Sequence, residues 1–250
     1  MKTAILLSGH MRTFARCLPT LHWHVFRHFP GADFIVSTVA DADASSAQLL
    51  VPRYGFDRVH YAAVPEQPDC VAEIRAAGAV LPDTRTPGQC YTHEPYPISV
   101  HPQAVLRQLW QLGHAWRTYR THFSPGSHDL IIRCRPDLWF HSCARPPAED
   151  FVEPTDALLP WWGKFGGIND RFAWLGERAA EAYFTTYERI PALLEAGCPL
   201  HPESLLKASL LAAGCQPASR LAAEFGTLRA SGELRPAEIS TVDLAHAALR

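Results

Sequence analysis

"LIIRCRPDLWF" (residues 130–140) starts as an apolar run, breaks at Arg133, Arg135, Pro136 and Asp137, and then turns apolar again. A short apolar run of this kind, rich in branched side chains, fits a strand buried on both faces of a parallel sheet. A strand that only filled a core would need no ionised groups at its end, because burying a charge without a partner is costly. The stretch therefore reads as a strand whose carboxyl end meets something charged.

The same design recurs at the start of the chain. "TAILLSG" (3–9) is a short buried strand running into a Ser-Gly turn, and "RCLPTLHWHVFRHF" then sets Leu18, Leu21, His22, Val25, Phe26 and Phe29 at helical spacing. "ADFIVSTV" is a second strand and "DRVHYAAV" a third. Residues 65–102 are punctuated by seven prolines and show little periodicity, which suits a long functional loop. "PQAVLRQLWQLGHAWRTYRTHF" follows as a helix with Val105, Leu109, Leu112 and Trp116 on one stripe, and it leads into residues 130–140.

Beyond them come the strand "DALLPWW", the turn "GKFGGIND", the strand-like "RFAWLG", one helix over "ERAAEAYFTTYERIPALLEAG" and another over "HPESLLKASLLAAG". Strands alternating with helices give an α/β, Rossmann-like, mostly parallel sheet flanked by helices. No linker divides the 250 residues, so a single domain over 1–250 is expected, with a nucleotide-binding half at 1–140 and an acceptor-side half at 141–250.

Composition narrows the function. A net charge of −2 with mixed signs argues against holding a nucleic-acid polymer by charge alone, so any anion is small and bound locally. Seven cysteines without a C-x-x-C pair suit reduced thiols. The first residues are too short in apolar content for a signal peptide, and no run approaches the roughly 20 apolar residues of a membrane span. A cytoplasmic protein is expected, with peripheral membrane contact left open.

In an open α/β sheet, ligands bind beyond the carboxyl ends of the strands. "SGHMR" and "RCRPD" both occupy such ends, so Ser8, Gly9, Arg12, Arg133, Arg135 and Asp137 line one crevice if their strands are neighbours. Gly9 lets the backbone approach a ligand, and the arginines can grip phosphate oxygens through paired hydrogen bonds. Asp137 beside a diphosphate calls for a bridging cation, or else it simply neutralises Arg133 or Arg135. Asp170 in "GGIND" and Glu203 in "HPES" are the candidate bases, each equally readable as ordinary turn or helix-start chemistry. "PWWGKF" serves either acceptor stacking or the core. No phosphate-loop, dinucleotide-fingerprint, nucleophile-elbow or zinc-ligand pattern is present.

In their order, "ILLSGHMRTFARC", "ADFIVSTV", "HDLIIRCRPDLWF", "GGINDRFAWLGERAAEAY" and "HPESLLKASLLAAG" resemble GT-A-type glycosyltransferases of bacterial and viral origin, over about three fifths of the chain. The resemblance implies a nucleotide-sugar donor held by Ser8, Gly9 and Arg12. It implies a glycan, lipid-linked or other hydroxylated acceptor, as in polysaccharide biosynthesis, with Asp170 or Glu203 on the acceptor side. It also implies Mn²⁺ or Mg²⁺ at Asp137. Here the family's Asp-x-Asp is Arg135-Pro136-Asp137, so a single acid remains for the metal and Arg135 stands where the first acid would be. Two other classes stay open: a nucleotidyl- or sulfo-transferase using the same crevice, and a non-catalytic carbohydrate-binding protein.

Overall fold

The computed structural model of the chain describes residues 1–81, 92–93, 96–97, 101–142, 144 and 153–236. In chain order the elements are β1 (Thr3–Ser8), α1 (Phe14–His24), β2 (Asp33–Val39), α2 (Val51–Tyr54), β3 (Val59–Val64), α3 (Cys70–Ala76), β4 (Thr92–His93), β5 (Tyr96–Pro97) and α4 (Pro102–His122). They continue with β6 (Leu130–Cys134), β7 (Leu138–Phe140), β8 (Asp156–Pro160), β9 (Phe172–Leu175), α5 (Glu177–Phe184), α6 (Thr186–Glu195), α7 (Pro202–Ala212), β10 (Gln216–Leu221), β11 (Phe225–Leu228) and β12 (Leu234–Arg235).

β1 shows why the sheet is central. Successive strand residues face opposite sides, and both sides of β1 are covered. Ala4 and Leu6 join a core with α4, α5, α6 and α7, while Ile5 and Leu7 join one with α1, β7 and β11. Seven strands lie in the order β10-β8-β9-β6-β1-β2-β3. β1 pairs in parallel with β2 and β6, β2 with β3, and β8 with β10; β9 runs antiparallel to β6 and β8. The fold is thus α/β and Rossmann-like, with a mostly parallel sheet flanked by helices. Strands from 1–140 and from 141–250 share that one sheet.

The chain leaves β1 towards β2 and β3 and returns on the other side at β6, which makes the carboxyl ends of β1 and β6 the switch point. A second sheet, β12-β11-β7, packs beside this end. It is tied there by the Leu228 amide, which donates to the Asp137 carbonyl (2.9 Å), and by the Thr13 hydroxyl, which donates to the Leu228 carbonyl (3.1 Å).

Two expectations change, and one open alternative is decided for the core. The single helix over "ERAAEAYFTTYERIPALLEAG" is two, α5 and α6, parted at Thr185. The Thr185 hydroxyl donates to the Glu181 carbonyl, and the Thr186 hydroxyl to those of Ala182 and Tyr183, side-chain bonds that compete with the backbone ladder. Within the proline-punctuated segment, α3 forms behind an Asp69 cap, whose carboxylate accepts from the Ala72 amide at 3.2 Å. α3 buries only Cys70 and Ile74, too few apolar positions to register as a period. The rest of that segment, at 82–91, 94–95 and 98–100, lies outside the described residues. In "PWWGKF", Trp162 is a core residue whose indole N–H donates to the Ala223 carbonyl (2.9 Å).

Candidate functional site

A cleft of about 510 Å³ opens at the switch point, lined by Ser8, Gly9 and Arg12 from the end of β1 and by Arg133, Arg135, Pro136 and Asp137 from the end of β6. All six residues expected to line one crevice therefore do so. Gly9 takes φ +133°, a conformation open to glycine and strained for other residues, and its amide donates to the Ser37 carbonyl at the end of β2. The tight turn keeps the cleft floor bare of side-chain bulk.

Arg133 is the unusual member. Strand alternation sends it to the same face as Ile131, under α4 and α5, where it is 2% exposed. Its Nη1 donates to the carbonyls of Ser8 (3.1 Å) and Cys134 (2.8 Å), while its Nε has no hydrogen-bond partner. Burial pulls its pKa down, and Arg135 pushes the same way. The guanidinium nonetheless stays charged. Tyr183 and Asp170 favour its charge, yet no carboxylate hydrogen-bonds it, and a buried cation without a directly bonded acid favours an incoming anion.

Arg135 and Asp137 form a two-pronged pair, Nε to Oδ1 at 3.0 Å and Nη2 to Oδ2 at 2.6 Å. Burial would raise the Asp137 carboxyl, but the charge and hydrogen bonds of Arg135 outweigh it and hold the group below the ordinary carboxylate range. A divalent cation prefers several oxygen ligands in an ordered shell. Both oxygens of Asp137 are taken by Arg135, and no group of three or more His, Cys, Asp or Glu that could hold a metal occurs among the described residues. The described residues around Asp137 therefore do not fit a resident Mn²⁺ or Mg²⁺, and Asp137 acts here as the partner of Arg135.

Asp170 and Glu203 are not on the cleft wall. Each is about nineteen-twentieths buried, at 4% and 5% exposure. Asp170 accepts from the side chain of Gln108, a cleft residue, and lies 3.6 Å from Arg171 Nε; Glu203 sits 3.3 Å from His201. Both acids favour the charged form of Arg135, behind which they lie. Gly167 explains the "GG" of that turn: a Cβ there would run into the Glu203 backbone, so the glycine lets the turn dock on the start of α7.

No protein-family model matches the chain, and no curated protein matches it in sequence. Solved structures of glycosyltransferases do resemble it. One is mouse xyloside xylosyltransferase 1 in its apo form, at 12% identity over 85% of this chain and 82% of that one, with a TM-score of 0.43. Another is the galactosyltransferase LgtC in complex with donor and acceptor sugar analogues, at 10% identity over 84% of this chain and 70% of that one, also with a TM-score of 0.43. A likeness this distant carries no residue role across, so the site's chemistry rests on its own geometry.

Several cleft residues escaped the sequence reading. α4 presents Gln103, Ala104, Arg107, Gln108 and Gln111 to the cleft. Their spacing is helical, with Gln103, Arg107 and Gln111 four residues apart, a polar stripe beside the apolar one that had drawn attention. Gln67 donates to Gln111 (3.0 Å), Gln111 donates to Ser37 Oγ (2.6 Å), and Ser37 shares a hydrogen bond with His114 Nδ1 (2.7 Å). This wall of amides can read hydroxyls or a base edge. His10, also at the cleft, is held by Asp41 at 2.9 Å. Arg229, from the turn between β11 and β12, completes the lining.

Proposed function

We propose that the chain is a nucleotide-sugar-dependent glycosyltransferase that holds the donor's diphosphate with arginine rather than with a metal ion. The observation that carries this reading is Arg133, a buried guanidinium with an unpartnered Nε, opening onto a cleft beside Arg12 and Arg135. In this reading the Ser8–Gly9 turn admits the diphosphate, and Arg12, Arg133 and Arg135 bind its oxygens. Asp137 fixes the plane of Arg135, and the amides of α4 contact the nucleoside or sugar.

Transfer breaks the bond between the anomeric carbon and the diphosphate oxygen, and the electron pair leaves with the diphosphate. The acceptor hydroxyl forms the new bond and passes its proton to the departing diphosphate oxygen, which carries the electron pair. Fixed cations aimed at the departing oxygens stabilise the charge that develops there. Asp170 and Glu203, buried behind the wall, balance Arg133 and Arg135 in this scheme and are not the base.

The test is thermal denaturation with uridine, guanosine, cytidine and thymidine diphosphates, each in EDTA and in Mn²⁺, followed by donor-hydrolysis assays. One diphosphate should stabilise the fold, by about 2.7 kcal/mol at a hundred times its Kd. Arg12→Gln, an exposed position that leaves the core intact, should weaken that effect. Absence of stabilisation by every diphosphate would refute the reading.

A further inference from the structure

Resting on that reading, we propose that the cleft takes a second acidic group besides the diphosphate, a carboxylate or phosphate on the transferred sugar or on the acceptor, and that Arg229 receives it. Five arginines line the cleft, Arg12, Arg107, Arg133, Arg135 and Arg229, against a single acid, Asp137. Adding the acids behind the wall, Asp170 and Glu203, together with Arg171, still leaves a surplus of positive charge. Each phosphate of a nucleotide sugar carries only a single charge. The diphosphate therefore does not neutralise the surroundings.

Arg229 is where the excess concentrates. Its hairpin is fixed: the Arg229 amide donates to the Glu233 carbonyl (2.8 Å), the Gly232 amide returns to the Arg229 carbonyl (2.9 Å), and neighbouring Leu228 is bonded to Asp137 and Thr13. The Nε of Arg229 is buried with no hydrogen-bond partner, and the residue makes no ion pair among the described residues. Burial of the group disfavours its charge most, and Arg235, Arg135 and Arg171 add to this, while Asp137, committed to Arg135, offsets them in part. A cation held among cations by a rigid turn, with no acid among the described residues paired to it, is arranged for an oxyanion that arrives from outside. It comes from the small sheet, whereas Arg133 and Arg135 come from the end of β6, so the two groups approach the cleft from separate elements.

Calorimetric titration tests this in two stages. The first measures the nucleoside diphosphate alone, and failure there refutes the transferase reading and takes this inference with it. The second has a donor arm, UDP-glucuronate against UDP-glucose or their counterparts on whichever base binds. It also has an acceptor arm, in which glucuronate, glucose 6-phosphate and glucose are added to protein saturated with the diphosphate. In one arm the acidic ligand should bind about tenfold more tightly than the neutral one. Arg229→Gln should erase that preference, with a loss for the acidic ligand at least about tenfold larger than the loss for the diphosphate. Equal binding of acidic and neutral ligands in both arms would overturn the proposal. So would an Arg229→Gln variant that loses diphosphate affinity as much as acid affinity, since Arg229 would then belong to the diphosphate set.

Discussion

The guanidinium of Arg135 and the carboxylate of Asp137, two residues apart across Pro136, lie in one plane of paired hydrogen bonds at 3.0 and 2.6 Å. The pair places a fixed, oriented cation at the end of β6, and four expectations follow from this cleft and the turn behind it.

Asp137→Asn should destabilise the protein at neutral pH by about 1–3 kcal/mol, below the cost of breaking a fully buried pair because both side chains are about one-fifth exposed. The sign of the pH dependence is set by the lowered Asp137 pKa. The pair's contribution is fully present above the unfolded carboxylate value of about 3.9 and is lost as pH falls through the lower folded value. Melting temperatures measured from pH 7 downwards should therefore fall more steeply below about pH 4 in the parent than in Asp137→Asn. Parallel curves would show that the pair contributes nothing.

Chelation should leave diphosphate binding nearly intact, because arginine supplies the charge in the proposed scheme. Titrations in EDTA and in Mn²⁺ should agree to within about threefold, a difference under 1 kcal/mol. A loss of binding in EDTA would show that a cation displaces Arg135 from Asp137.

Gly167→Ala should cost about 1–3 kcal/mol or more, since the new methyl would overlap the backbone of Glu203 and Ser204. Chemical denaturation reads this directly. Glu203 belongs to the first turn of α7, so the lesion should also loosen hydrogen-exchange protection there. A neutral substitution would mean the turn does not dock as described.

Gln108 and Asp170 should be energetically coupled, because the amide donates to a carboxylate that is 4% exposed. A double-mutant cycle of Gln108→Leu with Asp170→Asn should give an interaction of about 0.5–3 kcal/mol. Strict additivity would remove Gln108 as the link between the cleft wall and the acids behind it.

The sequence made the strands and the crevice legible because both are local signals. Apolar runs ending in Ser8-Gly9 and in Arg133 to Asp137 carry their own boundaries, and strand-end position then implies proximity if the two strands are neighbours, as β1 and β6 are. What stayed hidden was contributed from a distance. Arg229 belongs to "TLRASGEL", which carries no motif, and it matters only because the hairpin folds back onto Asp137 and Thr13. The Gln103, Arg107 and Gln111 stripe was visible in spacing but overlooked, since a helix read for its apolar stripe has its polar one assigned to solvent. The burial of Asp170 and Glu203 could not be read either, because Gly167 and Gln108 enclose them through contacts between separate elements.

The cleft gathers residues from Ser8 to Ala230, with the turn after β11 as its last wall. During synthesis, then, no nascent chain that has yet to expose this turn beyond the ribosome possesses a finished binding surface. Recognition is switched on only once this turn has emerged, and ligand cannot template the earlier steps of folding.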